Sequence, residues 1–407
     1  MNLCGGPKMV SLRKWLGVAV AALSTMPGLT LRLGLYHVSP AAEAIIYGVA
    51  IVGAAFMLSW AAEVFQLDVS QGLALAMLAL VAILPEYIVD ATFAWRAAQD
   101  PTQASLAVAN MTGANRILIG IAWPLVVLLF YIRTRRKAVD MQPEHGLELV
   151  ALLAATIYAF IIPLKGTLSW IDFVVLVSLF GVYLWRLAKL PSEEPHLIGP
   201  AKTIAELGKR GRRIVSGGMA LYAAVLVLLV AEHFAEALVA TGHQLHVDEF
   251  FLVQWVAPLA SEAPEFVVVC IFAWRGAATA AMGALVSSKI NQWTLLVAML
   301  PLIYAISLGG LSPMPLDGRQ RDEVLLTAAQ SLFAVILLLD LRLSLWGAGM
   351  IFGLFIVQFI FPDQRLAISV VYGIAAVLTL IVTRGGVIRA MANFPGFSRL
   401  PRSRKRP

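Results

Sequence analysis

Pro85-Glu86-Tyr87-Ile88-Val89-Asp90-Ala91-Thr92-Phe93-Ala94-Trp95-Arg96 has a second copy far along the chain, Pro264-Glu265-Phe266-Val267-Val268-Val269-Cys270-Ile271-Phe272-Ala273-Trp274-Arg275. Pro-Glu and Phe-Ala-Trp-Arg recur at one spacing without a gap, and Val89 matches Val268. Both copies sit inside long apolar runs. An ionised Glu near the middle of a bilayer costs on the order of 3 kcal/mol. A chain that does this twice in the same local sequence uses the pair; a tolerated relic of duplication is the weaker reading.

Composition agrees with a membrane setting. Of 407 residues, 60% are hydrophobic and 14% charged, against about 25% charged in soluble domains. Apolar runs of about 20 residues recur, each long enough to cross a ~30 Å hydrocarbon core as a helix. Backbone polar groups must be satisfied internally there, so helices rather than strands are expected. The net charge of +7 gathers in loops and tails, which does not read as nucleic-acid binding. Cys4 and Cys270 provide neither a disulfide framework nor zinc spacing. No enzyme chemistry and no cofactor is expected.

About twelve spans are read: Trp15–Tyr36, Ala42–Phe65, Ser70–Trp95, Gln103–Ile132, Leu147–Pro163, Ser169–Trp185, Ile214–Ala240, Asp248–Trp274, Ala277–Ile306, Val324–Leu341, Trp346–Phe361 and Leu366–Thr383. The basic lead, the Arg133–Lys137 loop, the polar linker 189–213 with its Lys209, Arg210, Arg212 and Arg213, and the basic tail then share one side. That side is cytoplasmic by the positive-inside rule. The expectation is a multi-pass inner-membrane protein with both termini cytoplasmic. The Glu86 span then runs outward and the Glu265 span inward. Repeats of opposite orientation around a midplane site are the plan of many secondary transporters.

Glu86 and Asp90 are four residues apart and share a helix face. Pro85 is expected to break the helix and free carbonyls for a cation. The next span supplies Asn110, Thr112, Gly113, Asn115 and Arg116. In the second copy Glu262 and Glu265 share a face, preceded by Ser261 and flanked by Pro258 and Pro264. Ser287, Ser288, Lys289, Asn291 and Gln292 follow on the next span. Hard oxygen donors of this kind suit Ca²⁺, Na⁺ or protons rather than soft metals. His233, with Glu232 and Glu236, reads as interfacial, with a proton path as the alternative.

These paired stretches resemble the α-repeats of the cation/Ca²⁺ exchanger superfamily, whose repeat runs roughly G-T-S-x-P-E, then G-N, then G-S-N-x-x-N. The resemblance implies an all-α fold of inverted-topology repeats, with a ten-span core from about Ala42 to Phe361 and one extra span at each end. It implies a first half 42–188 with repeat 70–131, a linker 189–213, a second half 214–362 with repeat 247–306, and flanking segments 1–41 and 363–407. Glu86 and Glu265 match the motif glutamates and are the implied metal ligands. Asn110, Asn115, Ser261, Ser288 and Gln292 match neighbouring ligand positions. Ala82, Ile83 and Leu118 stand where the family places hydroxyl or amide ligands, while Asp90, Glu262 and Lys289 are gained charges. The expected cation site joins Glu86, Asp90, Glu262 and Glu265, with Lys289 and Arg116 as internal counter-charges. Lys289 is expected to pair with Glu262 or Glu265. The implied function is antiport of Ca²⁺ against Na⁺ or H⁺, with the lipid bilayer and small inorganic cations as the expected partners. A non-transporting scaffold or regulator on the same fold is the competing reading.

Overall fold

The computed structural model describes residues 12–65, 67–68, 84–100, 104–189, 197 and 199–392. The basic lead 1–11, the stretch 70–83 of the third expected span and the end of the tail lie outside these residues. Every other expected span coincides with a helix, and the third does so from Leu84 to Gln99. Eight helical rods among the described residues are long and apolar enough to cross a membrane, and Leu345–Ile360 is a shorter apolar helix.

Polar residues set where these helices start. Asp317 caps Gly318–Leu338 by accepting from Gln320 N at 2.7 Å, while Gln320 Oε1 accepts from Asp317 N at 3.0 Å. Asp248 caps Glu249–Trp274 through Phe250 N at 2.9 Å. Each cap satisfies a donor that a helix end leaves free.

The two copies of the repeat share their backbone detail. Ala104–Ile117 leads into a π-helical turn, Leu118–Ala122, and then into Trp123–Thr134. In the same order, Ala278–Asn291 leads into the π-turn Gln292–Leu296 and then Val297–Leu308. Two short antiparallel ladders mirror one another across the copies. Ala138–Asp140 pairs with Arg342–Ser344, and Thr167–Leu168 pairs with Met314–Pro315. Packing is also crossed. Leu84–Gln99 lies against Val297–Leu308, and Glu249–Trp274 lies against Ala104–Ile117. This crossing brings Glu86 to the second copy's polar residues.

Glu249–Trp274 runs unbroken through Pro258 and Pro264; in membranes, neighbouring helices compensate such interruptions. Pro85 stands at the start of the described part of its helix, Leu84–Gln99, and the residues before Leu84, where a break at Pro85 is expected to fall, lie outside the described residues. The basic cluster expected in the linker is instead the first turn of the helix Lys209–Leu245. There Arg212 holds Asp68 bidentately, at 2.6 and 2.9 Å. The hydrogen-bonded Arg212 guanidinium keeps the Asp68 carboxyl below the usual carboxylate range. Its stabilising effect is therefore full at neutral pH and fades as acid protonates the folded-state carboxylate. We expect Asp68→Asn to lower the melting temperature near pH 7, with the gap to the wild type closing below about pH 4.

Among the described glycines, Gly113 stands closest to a neighbouring helix. A Cβ there would stand 1.7 Å from the carbonyl oxygen of Gln254. Because the obstacle is backbone, Gly113→Ala is expected to destabilise by about 2 kcal/mol or more. Gly217→Ala, in open space, is the matched control in thermal unfolding.

Candidate cation site between the repeats

Glu86 and Asp90 lie one turn apart and are both buried. Asn110 Nδ2 donates to Asp90 Oδ1 at 2.5 Å. From the second copy, Gln292 Nε2 donates to Glu262 Oε1 at 2.5 Å and reaches Glu86 Oε2 at 3.5 Å. One amide thus ties acids from the two repeats together. Glu262 and Glu265 lie three residues apart on one helix and so share a face. Ser288 Oγ donates to Glu265 Oε2 at 3.0 Å, and Glu265 is half-buried. The Tyr87 hydroxyl donates to Asn291 Oδ1, a second direct bond between the copies.

Five buried oxygens in this region accept nothing: Glu86 Oε1, Asp90 Oδ2, Asn110 Oδ1, Glu262 Oε2 and Gln292 Oε1. Unpartnered buried acceptors are costly, and oxygen is the ligand set of a hard cation. The residues present fit such an ion as cargo. Among the described residues, however, no three His, Cys, Asp or Glu side chains are arranged to hold a metal.

Several expected participants stand elsewhere. Lys289, fully buried, pairs with neither Glu262 nor Glu265. Its ammonium donates to Asn115 Oδ1 at 2.5 Å and Asn115 O at 3.2 Å, and lies 4.5 Å from the Trp293 ring centre. Asn115 also donates to Met111 O at 2.8 Å, so its amide serves Lys289 and its own helix. Asn115 and Lys289 occupy equivalent places in the two copies, so the repeats touch at matched positions. Ser261 turns its hydroxyl back to Pro258 O, at 3.2 Å. Arg116 is not a counter-charge of the acid group: it forms an ion pair with Glu323 at 2.5 Å and lies over Trp255. The four acids of the site therefore face one ammonium rather than two bases. Glu232 and Glu236 contact Arg96 at the surface, at 3.2 and 2.5 Å, which favours the interfacial reading.

Glu323 is the charged residue that sequence reasoning missed. The apolar span reads from Val324, which leaves Glu323 at its margin. Its signal is indirect: Arg116 and Arg365 are both within or beside spans and need an acid.

The sodium/calcium exchanger protein family model matches residues 41–189 and 215–362. Among solved structures, the H⁺/Ca²⁺ exchanger CAX is 41% identical, with a TM-score of 0.89, covering 95% of this chain and 98% of that one. Native YfkE, at 15% identity and TM-score 0.59, covers 90% and 99%. The sodium-calcium exchanger NCX_Mj, at 18% identity and TM-score 0.54, covers 79% and 97%. These last two speak for the fold alone. No curated protein sequence matches the chain. A family match across both halves, and a 41%-identical structure over nearly the whole length, make this chain a member of the sodium/calcium exchanger protein family.

Proposed function

We propose that the protein is a secondary antiporter that exchanges Ca²⁺ for protons across a cell membrane. The observation that carries this reading is the Gln292 amide, which donates to Glu262 and reaches Glu86, so that buried acids of both repeats meet at one place with oxygens left unpartnered. Carboxyls that share protons in one state can ligate a dication in another. Entry of Ca²⁺ then releases the protons, and protons from the far side displace Ca²⁺. The 41%-identical relative is itself an H⁺/Ca²⁺ exchanger. The hydroxyl and amide positions replaced by Ala82, Ile83 and Leu118 weigh against Na⁺, which lacks the charge to compete with a proton for carboxylates unaided.

In this reading the repeats are of opposite topology, twelve spans place both termini in the cytoplasm, and the repeats rock about the acid cluster to give alternating access. Lys289, tethered to Asn115, acts as a fixed positive charge beside the acids and tunes their exchange of protons for Ca²⁺. Lys289→Asn is expected to alter the pH dependence of uptake in vesicles; an unchanged profile removes that role. The antiport itself is tested by ⁴⁵Ca²⁺ uptake into proteoliposomes under imposed gradients. Uptake driven by a pH gradient, and indifferent to Na⁺, is expected. Uptake driven by Na⁺ alone would replace H⁺ with Na⁺ as the coupling ion. No uptake under either gradient, from folded protein, would favour the scaffold reading.

A further inference from the structure

A second polar centre lies apart from the acid cluster. Arg116, Glu323 and Arg365 come from three helices: Ala104–Ile117, Gly318–Leu338 and Arg365–Ala392. Glu323 is 1% exposed, and it contacts both guanidiniums, Arg116 Nη2 at 2.5 Å and Arg365 Nε at 2.6 Å. These three side chains line a cavity of about 240 Å³, counted with its open mouth, beside Gln254, Gln358 and Trp255. No other acid lines it among the described residues.

One carboxylate therefore faces two guanidiniums. Arginine cannot shed its proton to escape the imbalance, and an uncompensated buried charge is expensive. Arg365 begins its helix, so the positive end of that helix adds to the same excess. Gln254 Nε2 donates to Thr112 Oγ1, and Gln358 Nε2 donates to Gln330 Oε1, at 3.3 and 3.2 Å. These bonds fix the glutamines without supplying negative charge. The interior has room for little more than one atom-sized occupant, which excludes phosphate and lipid headgroups.

We propose that this cavity holds a resident monatomic anion of chloride size, which balances the second arginine and joins the helix Arg365–Ala392 to the repeat core. The ion is structural and is not transported.

The test is thermal unfolding of the purified full chain at constant ionic strength, with gluconate replaced by chloride or bromide. The wild type is expected to gain about 2 °C in the halides. Arg365→Gln, which removes the excess charge, is expected to lose that gain whatever its own melting temperature. An equal gain in the variant, or none in the wild type, overturns the proposal. Should Arg365→Gln fail to fold, bromide-soaked wild-type crystals decide: an anomalous peak between Arg116 and Arg365 supports the site, and an empty cavity refutes it.

Discussion

Glu86→Gln is expected to cut Ca²⁺ uptake by at least roughly 100-fold while leaving the protein folded. Even outer-shell changes at metal sites cost about 10–100-fold in affinity or activity, and Glu86 contributes a carboxylate directly, with Oε1 unpartnered and buried. The amide keeps the size and the bond from Gln292, but it neither balances a dication nor takes up and releases a proton. Thermal stability is expected to hold or rise, because one member of a crowded set of acids becomes neutral. Glu265→Gln should lose comparable activity, since it is the matched glutamate of the other repeat. Full uptake by either variant, measured with ⁴⁵Ca²⁺ in proteoliposomes, would separate the acid pair from transport.

Glu323→Gln should do the reverse, losing stability first. Removing one partner of a buried ion pair typically costs about 3–5 kcal/mol, because the remaining charge stays buried and unpaired. Here two guanidiniums are left facing each other, one of them only 3% exposed. A melting temperature several degrees lower is expected, with the fall appearing before any change in ion selectivity. Combining Glu323→Leu with Arg116→Met removes a positive and a negative charge together and leaves only Arg365, whose side chain is 13% exposed, without its acid; it should recover part of the loss, because apolar replacement of a buried pair is often neutral. Absence of that recovery would mean that the two side chains act independently.

The helices were legible because the bilayer permits little else for apolar runs of this length. The repeat pair was legible because Pro-Glu and Phe-Ala-Trp-Arg survive in both copies at one spacing. Asp90 and Glu262 follow from helical geometry alone, as neighbours of Glu86 and Glu265 on one face. The partners of the buried bases were not legible. A buried ammonium or guanidinium demands acceptors, but one-dimensional spacing does not say which residue of another helix supplies them. Lys289 finds Asn115, 174 residues away, and Arg116 finds Glu323. The π-turns at Leu118–Ala122 and Gln292–Leu296 carry no glycine or proline signature common to both, and only the coordinates reveal them.

The most direct measurement is crystallographic: Ca²⁺, or Sr²⁺ for its anomalous signal, soaked into crystals above the pH at which the acids release their protons. One ion is expected between the repeats, about 2.3–2.6 Å from oxygens of Glu86 and of Glu262 or Glu265. An ion bound by one repeat alone, or no ion between them at concentrations that support uptake, would contradict a shared site.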